Sequence, residues 1–247
     1  MVDTRGSSGD LAKEHRTVSR VTTILEAAAA ATDGINLAKL TALLGAPKSS
    51  VHGLVKGLVA TGYLQESNGF YTIGPAVAIL SSFNQPLVLA NARRSLHTIQ
   101  NKCDETATLC TLVGTDVVYV ERVESTHMIR YSAPLRVRRP IYPTSAGKCF
   151  LANMTVARRA KLISALLPPD EVAAAMAGLE EVARNGFATN HGETVADVYA
   201  VASPVVVSGR AVACLQVAGP ASRMAPQMES ICDLVRTEAQ RLSGDRH

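Results

Sequence analysis

Ala46-Pro47-Lys48-Ser49-Ser50-Val51-His52-Gly53-Leu54-Val55-Lys56-Gly57-Leu58-Val59 decides how the N-terminal part of this chain folds. Val51, Leu54, Val55, Leu58 and Val59 recur at i, i+3, i+4, i+7, i+8, the spacing that lines one face of an α-helix. The opposite face carries Ser49, His52, Gly53 and Lys56, with Lys48 and Ser50 in the first turn and no acidic residue along the helix. Such a face suits a polyanion. Pro47 is expected at the first helical position, and Gly62 lies where a left-handed terminating residue is wanted.

Upstream, Val21, Ile24, Leu25 and Ala28 repeat at period 3.6 and lead into an alanine run stopped by Asp33-Gly34. Asn36 can cap a second helix in which Leu37, Leu40, Leu43 and Leu44 share a face, and Gly45 breaks it. Two helices joined by a glycine turn, the second with an acid-free face, form a helix-turn-helix signature. After Gly62, Tyr63–Glu66 and Phe70–Ile73 read as strands joined by Ser67-Asn68-Gly69, and Asn-Gly is the strongest short hairpin signal. One amphipathic helix with a few lysines implies only a solvated core helix. Three helices, the tight turn, the acid-free face and the adjoining hairpin together predict a winged DNA-binding domain over 17–75.

Outward from this module, residues 1–16 lack the apolar core of a signal peptide and are expected to be a flexible tail. Residues 76–86 read as a short apolar linker helix ahead of Asn84-Gln85-Pro86, either a dimer contact or packed on its own domain. From Leu87 to residue 247 helices alternate with strands, predicting an α+β domain with an antiparallel sheet flanked by helices. Expected there are a helix from Leu87 to Lys102, a hairpin of Thr106–Val113 and Val117–Val123, and a short strand near Met128–Tyr131. A basic loop with Arg136, Arg138 and Arg139 follows, then helices at Ser145–Asn153, Thr155–Leu167 and Asp170–Asn185. A hairpin around Ser208-Gly209 and a closing helix Met228–Leu242 complete it.

With 247 residues, 47% of them hydrophobic, the chain has material for two cores. A net charge of +4 requires any nucleic-acid surface to be local. Its five cysteines are odd in number and widely spaced, without a C-x-x-C pair or zinc-ligand spacing, and read as reduced thiols in a cytoplasm. No metal, cofactor or membrane span is expected. An enzyme is the rival class, since Cys149, Cys214, His127 and His191 sit in the second domain. Catalytic motifs such as G-x-S-x-G, H-E-x-x-H, the P-loop and G-x-G-x-x-G are absent from the sequence. Cys149 and Cys214 read as buried small apolar residues. A ligand-sensing module whose helical domain binds protein rather than DNA is a third reading.

Several ordered stretches resemble the IclR family of bacterial transcriptional regulators over roughly residues 17 to 243. They are the opening Ala46–His52, Gly62-Tyr63-Leu64, Tyr71–Pro75, Val118–Ser125, Ala146-Gly147-Lys148 and Gln216–Pro220. The resemblance implies a winged helix-turn-helix joined by a linker helix to a GAF-like effector-binding domain. It also implies homodimers that pair into tetramers on double-stranded operator DNA, with repression as the default. Lys48 and Lys56 are then expected on phosphates, Ser49, Ser50 and His52 at base edges, and Asn68 in the wing near the minor groove. Gly53 stands where the family commonly has a basic residue.

In family members that bind small oxo-acids, the ligand is held by a loop before Gly-Lys, an Asp, a Cys and two serines. These positions fall on Thr144, Ser145 and Ala146, on Asn190, on Ala200, and on Gln216 and Ala218. Loss of donors and of a carboxylate implies a larger, less polar effector, an aromatic acid or related compound, with Tyr119, Tyr142 or Tyr199 as walls.

Overall fold

The computed structural model describes residues 15–77 and 87–244. The chain divides into two compact units, Met1–Gln85 and Pro86–His247. The expected tail at 1–16 lies outside the described residues except for His15 and Arg16, and Arg16 already opens the first helix. Most of the expected linker helix 76–86 also lies outside them; only Ala76 and Val77 are described, in a helical turn begun by Pro75.

In the first unit, α1 (Arg16–Ala30), β1 (Ile35–Asn36), α2 (Leu37–Leu44), α3 (Lys48–Ala60), β2 (Leu64–Ser67) and β3 (Phe70–Ile73) follow in order. The Asn36 side chain accepts from the Lys39 amide at 3.0 Å, capping α2. Replacing Asn36 with alanine is therefore expected to lower the stability of this unit by about 1 kcal/mol, read as a lower urea midpoint. Pro47 sits one residue earlier than expected, at the N-cap of α3, with extended ψ. Helix α3 ends as its sequence predicts: Gly62 has φ +76°, its amide reaches Val59 O, and the Tyr63 amide reaches Leu58 O at 2.9 Å. Asn68 and Gly69 both have positive φ, the geometry of a tight hairpin turn between β2 and β3. The sheet order is β1-β3-β2, so the two-residue β1 adds a third strand that the sequence did not signal. Ile24, Ala28, Leu40, Val51, Val55, Leu64 and Tyr71 form the core of this unit.

The second unit is built on a six-stranded antiparallel sheet in the order β6-β5-β4-β9-β8-β7. Its elements are α4 (Leu87–Cys103), β4 (Thr106–Val113), β5 (Asp116–Val123), β6 (Arg138–Pro140), α5 (Ser145–Ala152), α6 (Val156–Leu166) and α7 (Pro169–Asn185). After these come β7 (Ala188–His191), β8 (Val198–Val207), β9 (Arg210–Pro220), the short α8 (Ala221–Met224) and α9 (Met228–Gly244). Strand alternation separates two cores. On one face Ala213, Leu215 and Val217 of β9 meet Leu96 and Ile99 of α4 and Val235 of α9. On the other, Cys214 joins Cys149 and Phe150 of α5 and Leu179 of α7.

Two expectations are corrected here. Met128–Tyr131 is not a strand; Met128 and Ile129 are 96% and 78% exposed in an irregular segment. The strand lies instead in the supposed basic loop, where Arg138 and Arg139 pair with Val118 and Val117. Arginines serve at this sheet edge because each is occupied: Arg138 reaches Asp116 at 3.0 Å and the Val113 carbonyl, while the Arg139 guanidinium lies 4.6 Å above the Tyr119 ring.

Candidate nucleic-acid interface and effector pocket

Val51, Val55 and Leu58 of α3 are buried, and Lys48, Ser49, Ser50, His52, Gly53 and Lys56 are all exposed on its other side. The predicted polar face is thus presented as one continuous surface, with Asn68 exposed at the wing turn. A Cβ added at Gly53 or Gly57 would meet nothing within 4 Å, so packing inside the protein does not require glycine at either place. The face is acid-free only along the helix. Glu66 of β2 reaches across to Lys56, Nζ to Oε2 at 2.9 Å, and this bond and the Glu66 charge raise the lysine pKa. Pairing between the helix and the following strand is invisible to a reading of helix spacing.

The second unit gathers Tyr119, Thr144, Ser145, Asn190, Ala200, Gln216 and Ala218 around one small cavity, joined by Tyr131, Thr194, Val195 and Val198. Its free volume is about 20 Å³, room for a single water. Buried Gln216 is its hub: Oε1 lies 3.4 Å from both the Tyr119 and Ser145 hydroxyls, and Nε2 donates to the Tyr119 oxygen at 3.1 Å. The Cys110 thiol also points at Oε1, at 3.8 Å. Asn190 donates to the Pro143 carbonyl at 2.9 Å and to Thr194 Oγ1 at 2.8 Å, and accepts from the Glu193 amide. Burial pushes the Tyr119 phenol far above its ordinary range, so it stays a neutral donor and acceptor. Thr144 caps α5, whose first turn opens at this cavity and presents the positive end of the helix there.

Family comparisons agree with the two-part architecture. Residues 81–244 match the bacterial transcriptional regulator IclR C-terminal family, and residues 17–67 match the IclR helix-turn-helix domain. The chain belongs to the IclR family of bacterial transcriptional regulators. Transcriptional regulator SauR of Cupriavidus necator is 31% identical over 215 residues, covering 81% of this chain and 84% of that protein. An IclR transcriptional regulator from Silicibacter sp. TM1040 superposes with TM-score 0.78 at 28% identity, over 92% of this chain and 94% of that one. An IclR homolog from Microbacterium hydrocarbonoxydans, crystallised with 4-hydroxybenzoate, superposes with TM-score 0.73 at 21% identity, over 93% and 98% of the two chains.

Within this IclR frame three expected pocket residues are displaced. Ala146 is buried behind the cavity, where its carbonyl receives the Cys214 thiol at 3.6 Å. Tyr142 lines a separate groove with Lys148. Tyr199 packs against the opposite core and meets His191 edge-on at 4.7 Å, because it alternates with Ala200 along β8. The same alternation places Val198 beside Ala200, a signal available in the sequence. Tyr131, Thr194 and Val195 come from irregular segments that carry no periodicity.

All five cysteines are unpaired and buried. Burial pushes the Cys110 and Cys214 thiols well up, the reverse of nucleophile activation. His127 lies 3.5 Å from Asp104, and His191 meets Tyr199 edge-on. Among the described residues no cluster of three or more His, Cys, Asp or Glu could hold a metal, and no helix is long and apolar enough to cross a membrane.

Proposed function

We propose that this regulator is a cytoplasmic, homodimeric repressor whose α3 enters the major groove of operator DNA and whose second unit senses an aromatic acid. The continuous exposed face Lys48-Ser49-Ser50-His52-Gly53-Lys56 carries the DNA reading. Lys48 and Lys56 contact phosphates, Ser49, Ser50 and His52 meet base edges, and Asn68 brings the wing to the minor groove. Lys56 exchanges Glu66 for a phosphate when DNA arrives. One module makes few contacts, so a dimer, or a dimer of dimers, joins two modules on two half-sites. The regulator acts without catalysis: effector binding shifts the balance between arrangements of the paired modules.

The effector site is the cavity at Gln216. Its carboxylate end faces the α5 first turn beside Thr144, Ser145 and Asn190, while the ring lies among Tyr119, Ala200, Ala218 and Val198. Space for one water means that the 124–137 or 192–197 segment must yield to admit a ring, which makes access part of selectivity. The 4-hydroxybenzoate held by the Microbacterium homolog supports this ligand class.

Titrating the protein onto the intergenic DNA beside its own gene across a salt series tests the reading. Specific binding should weaken with a log–log slope of about −0.9 per phosphate contact. Lys56→Ala should reduce that slope by roughly one contact, and His52→Ala should cost roughly five- to 150-fold in affinity for the specific site, in line with about 1–3 kcal/mol per base contact. 4-Hydroxybenzoate should release the DNA where glyoxylate and pyruvate do not. Absence of DNA binding at every salt, or release by pyruvate alone, would overturn the corresponding half.

A further inference from the structure

Apart from the Gln216 cavity, and far larger than it, the second unit holds an open groove of about 670 Å³ between α7 and the outer edge of β7. Helix α7 turns Glu171, Ala174, Ala175, Gly178, Leu179 and Val182 toward it, the i, i+3, i+4, i+7, i+8, i+11 series that normally fills a helix–sheet interface. Ala175 and Leu179 are buried and complete the core, but Ala174 and Gly178 are too small to close the remaining space. A Cβ built at Gly178 meets nothing within 4 Å. The facing wall is Tyr142, Lys148, Ala188 and Thr189.

Carboxylates outnumber cations on this groove. Asp170, Glu171 and Glu181 stand on its rim. Its single lysine is already engaged, since Lys148 Nζ donates to the Thr189 carbonyl at 3.0 Å and to the Glu193 carboxylate. The fields of Glu193 and Glu171 reach the Tyr142 hydroxyl, adding to the burial that raises its pKa. An anion would meet carboxylates here. An apolar body carrying an ammonium would cover the alanine and leucine floor and leave its charge at the rim. The volume lies in the range of roughly 300–1,000 Å³ typical of small-molecule sites.

We propose that the α7–β7 groove is a second ligand site, selective for apolar amines and distinct from the Gln216 cavity. Its place also gives it a route to that cavity. Segment 142–148 presents Tyr142 and Lys148 to the groove but Thr144 and Ser145 to the cavity, and β7 presents Ala188 and Thr189 to one and Asn190 to the other. A guest in the groove therefore bears on both backbone segments that carry the cavity's polar groups.

The chain has no tryptophan, so indole fluorescence anisotropy of added tryptamine reports binding to the full-length protein directly. Saturable binding is expected, lost in Gly178→Leu and weakened about threefold in Glu171→Gln, the size of one exposed charge contact. Gly178→Leu projects into open space on a helix, so its far-UV spectrum and its DNA binding should match the unaltered protein. Indole-3-acetate, with the charge reversed, should show at least about tenfold weaker binding of the Gly178→Leu-sensitive kind. No saturable tryptamine binding to about 10 mM, a fragment-level limit, would overturn the site. Binding that survives Gly178→Leu in a folded protein would overturn its location, and Gly178→Leu-sensitive binding of indole-3-acetate as tight as tryptamine would overturn its charge preference.

Discussion

Replacing Gly147 with alanine is expected to abolish stable folding of the second unit. A Cβ at this position would stand 1.5 Å from the Ile141 carbonyl oxygen, 2.5 Å from its carbon and 2.7 Å from Thr144 Oγ1. The first two atoms are backbone, so no rotamer change relieves the overlap. Helix α5 would have to move off the turn that precedes it, breaking the Thr144 cap, which accepts from the Gly147 amide at 3.2 Å. Such a movement would also separate Ile141 and Phe150, each 2% exposed, from their core. Overpacking of this kind against backbone falls in the rare class of changes costing more than about 4 kcal/mol, a large share of the roughly 5–15 kcal/mol that holds a domain folded. Urea unfolding followed by circular dichroism provides the check, with Gly178→Ala as its control. That helical glycine faces open space, so the same added methyl should stabilise by about 0.5–1 kcal/mol. A Gly147→Ala protein within 1 kcal/mol of the original would refute the close approach. The prediction also gives a physical reason for glycine in Ala146-Gly147-Lys148: its backbone closes the corner from which Thr144 and Ser145 reach the cavity.

What the sequence discloses follows the range of the interactions. The winged module is legible because its signals are local: a 3.6 period in α3, a side-chain cap at Asn36, and an Asn-Gly turn whose two residues adopt the expected positive φ. The long hairpins of the second unit are legible for the same reason, as β-branched runs about tight turns. Strands made by distant pairing are not. Ile35–Asn36 becomes a strand only because Tyr71 and Phe70 lie beside it, and Ala188–His191 only because Val198–Val207 does. Met128-Ile129 has strand-like composition but finds no partner strand, whereas Arg138–Pro140 lacks that composition and pairs with β5. At the site, family resemblance brings six positions, Thr144, Ser145, Asn190, Ala200, Gln216 and Ala218, to one cavity from separate elements, which spacing alone does not do, and it misplaces Ala146; of the three wall tyrosines only Tyr119 joins them. The wall reading misplaces Tyr199 by one residue of strand alternation and Tyr142 by the turn into α5. Neither reading signals Glu66, whose contact with Lys56 runs from β2 back to α3.

Arg223→Met should destabilise the second unit by about 2–4 kcal/mol, and the loss should be largely relieved when Glu105→Gln is added. Glu105 enters the sheet just ahead of β4 and is fully buried. Arg223 of α8 holds its carboxylate through both Nε and Nη2, the latter at 2.9 Å to Oε2. The carboxylate cannot swing to water, because it lies against the backbone of Gly219: a Cβ there would come within 2.3 Å of Oε2. Removing the guanidinium therefore strands a buried charge, and the Arg223 side chain's 29% exposure keeps the cost below the upper values seen for wholly buried pairs. Neutralising Glu105 in the same chain removes the stranded charge while keeping its shape. The two substitutions should thus be strongly non-additive, a coupling that a thermodynamic cycle of urea midpoints measures directly. Arg223 also donates to the Ile129 carbonyl at 3.1 Å, anchoring the 124–137 segment that brings Tyr131 to the cavity. The double variant should therefore regain stability without regaining this anchor, and 4-hydroxybenzoate should associate with it faster than with the unaltered protein. Additive losses would show that Glu105 and Arg223 do not act as a pair, and an unchanged association rate in the double variant would remove the anchor from control of access.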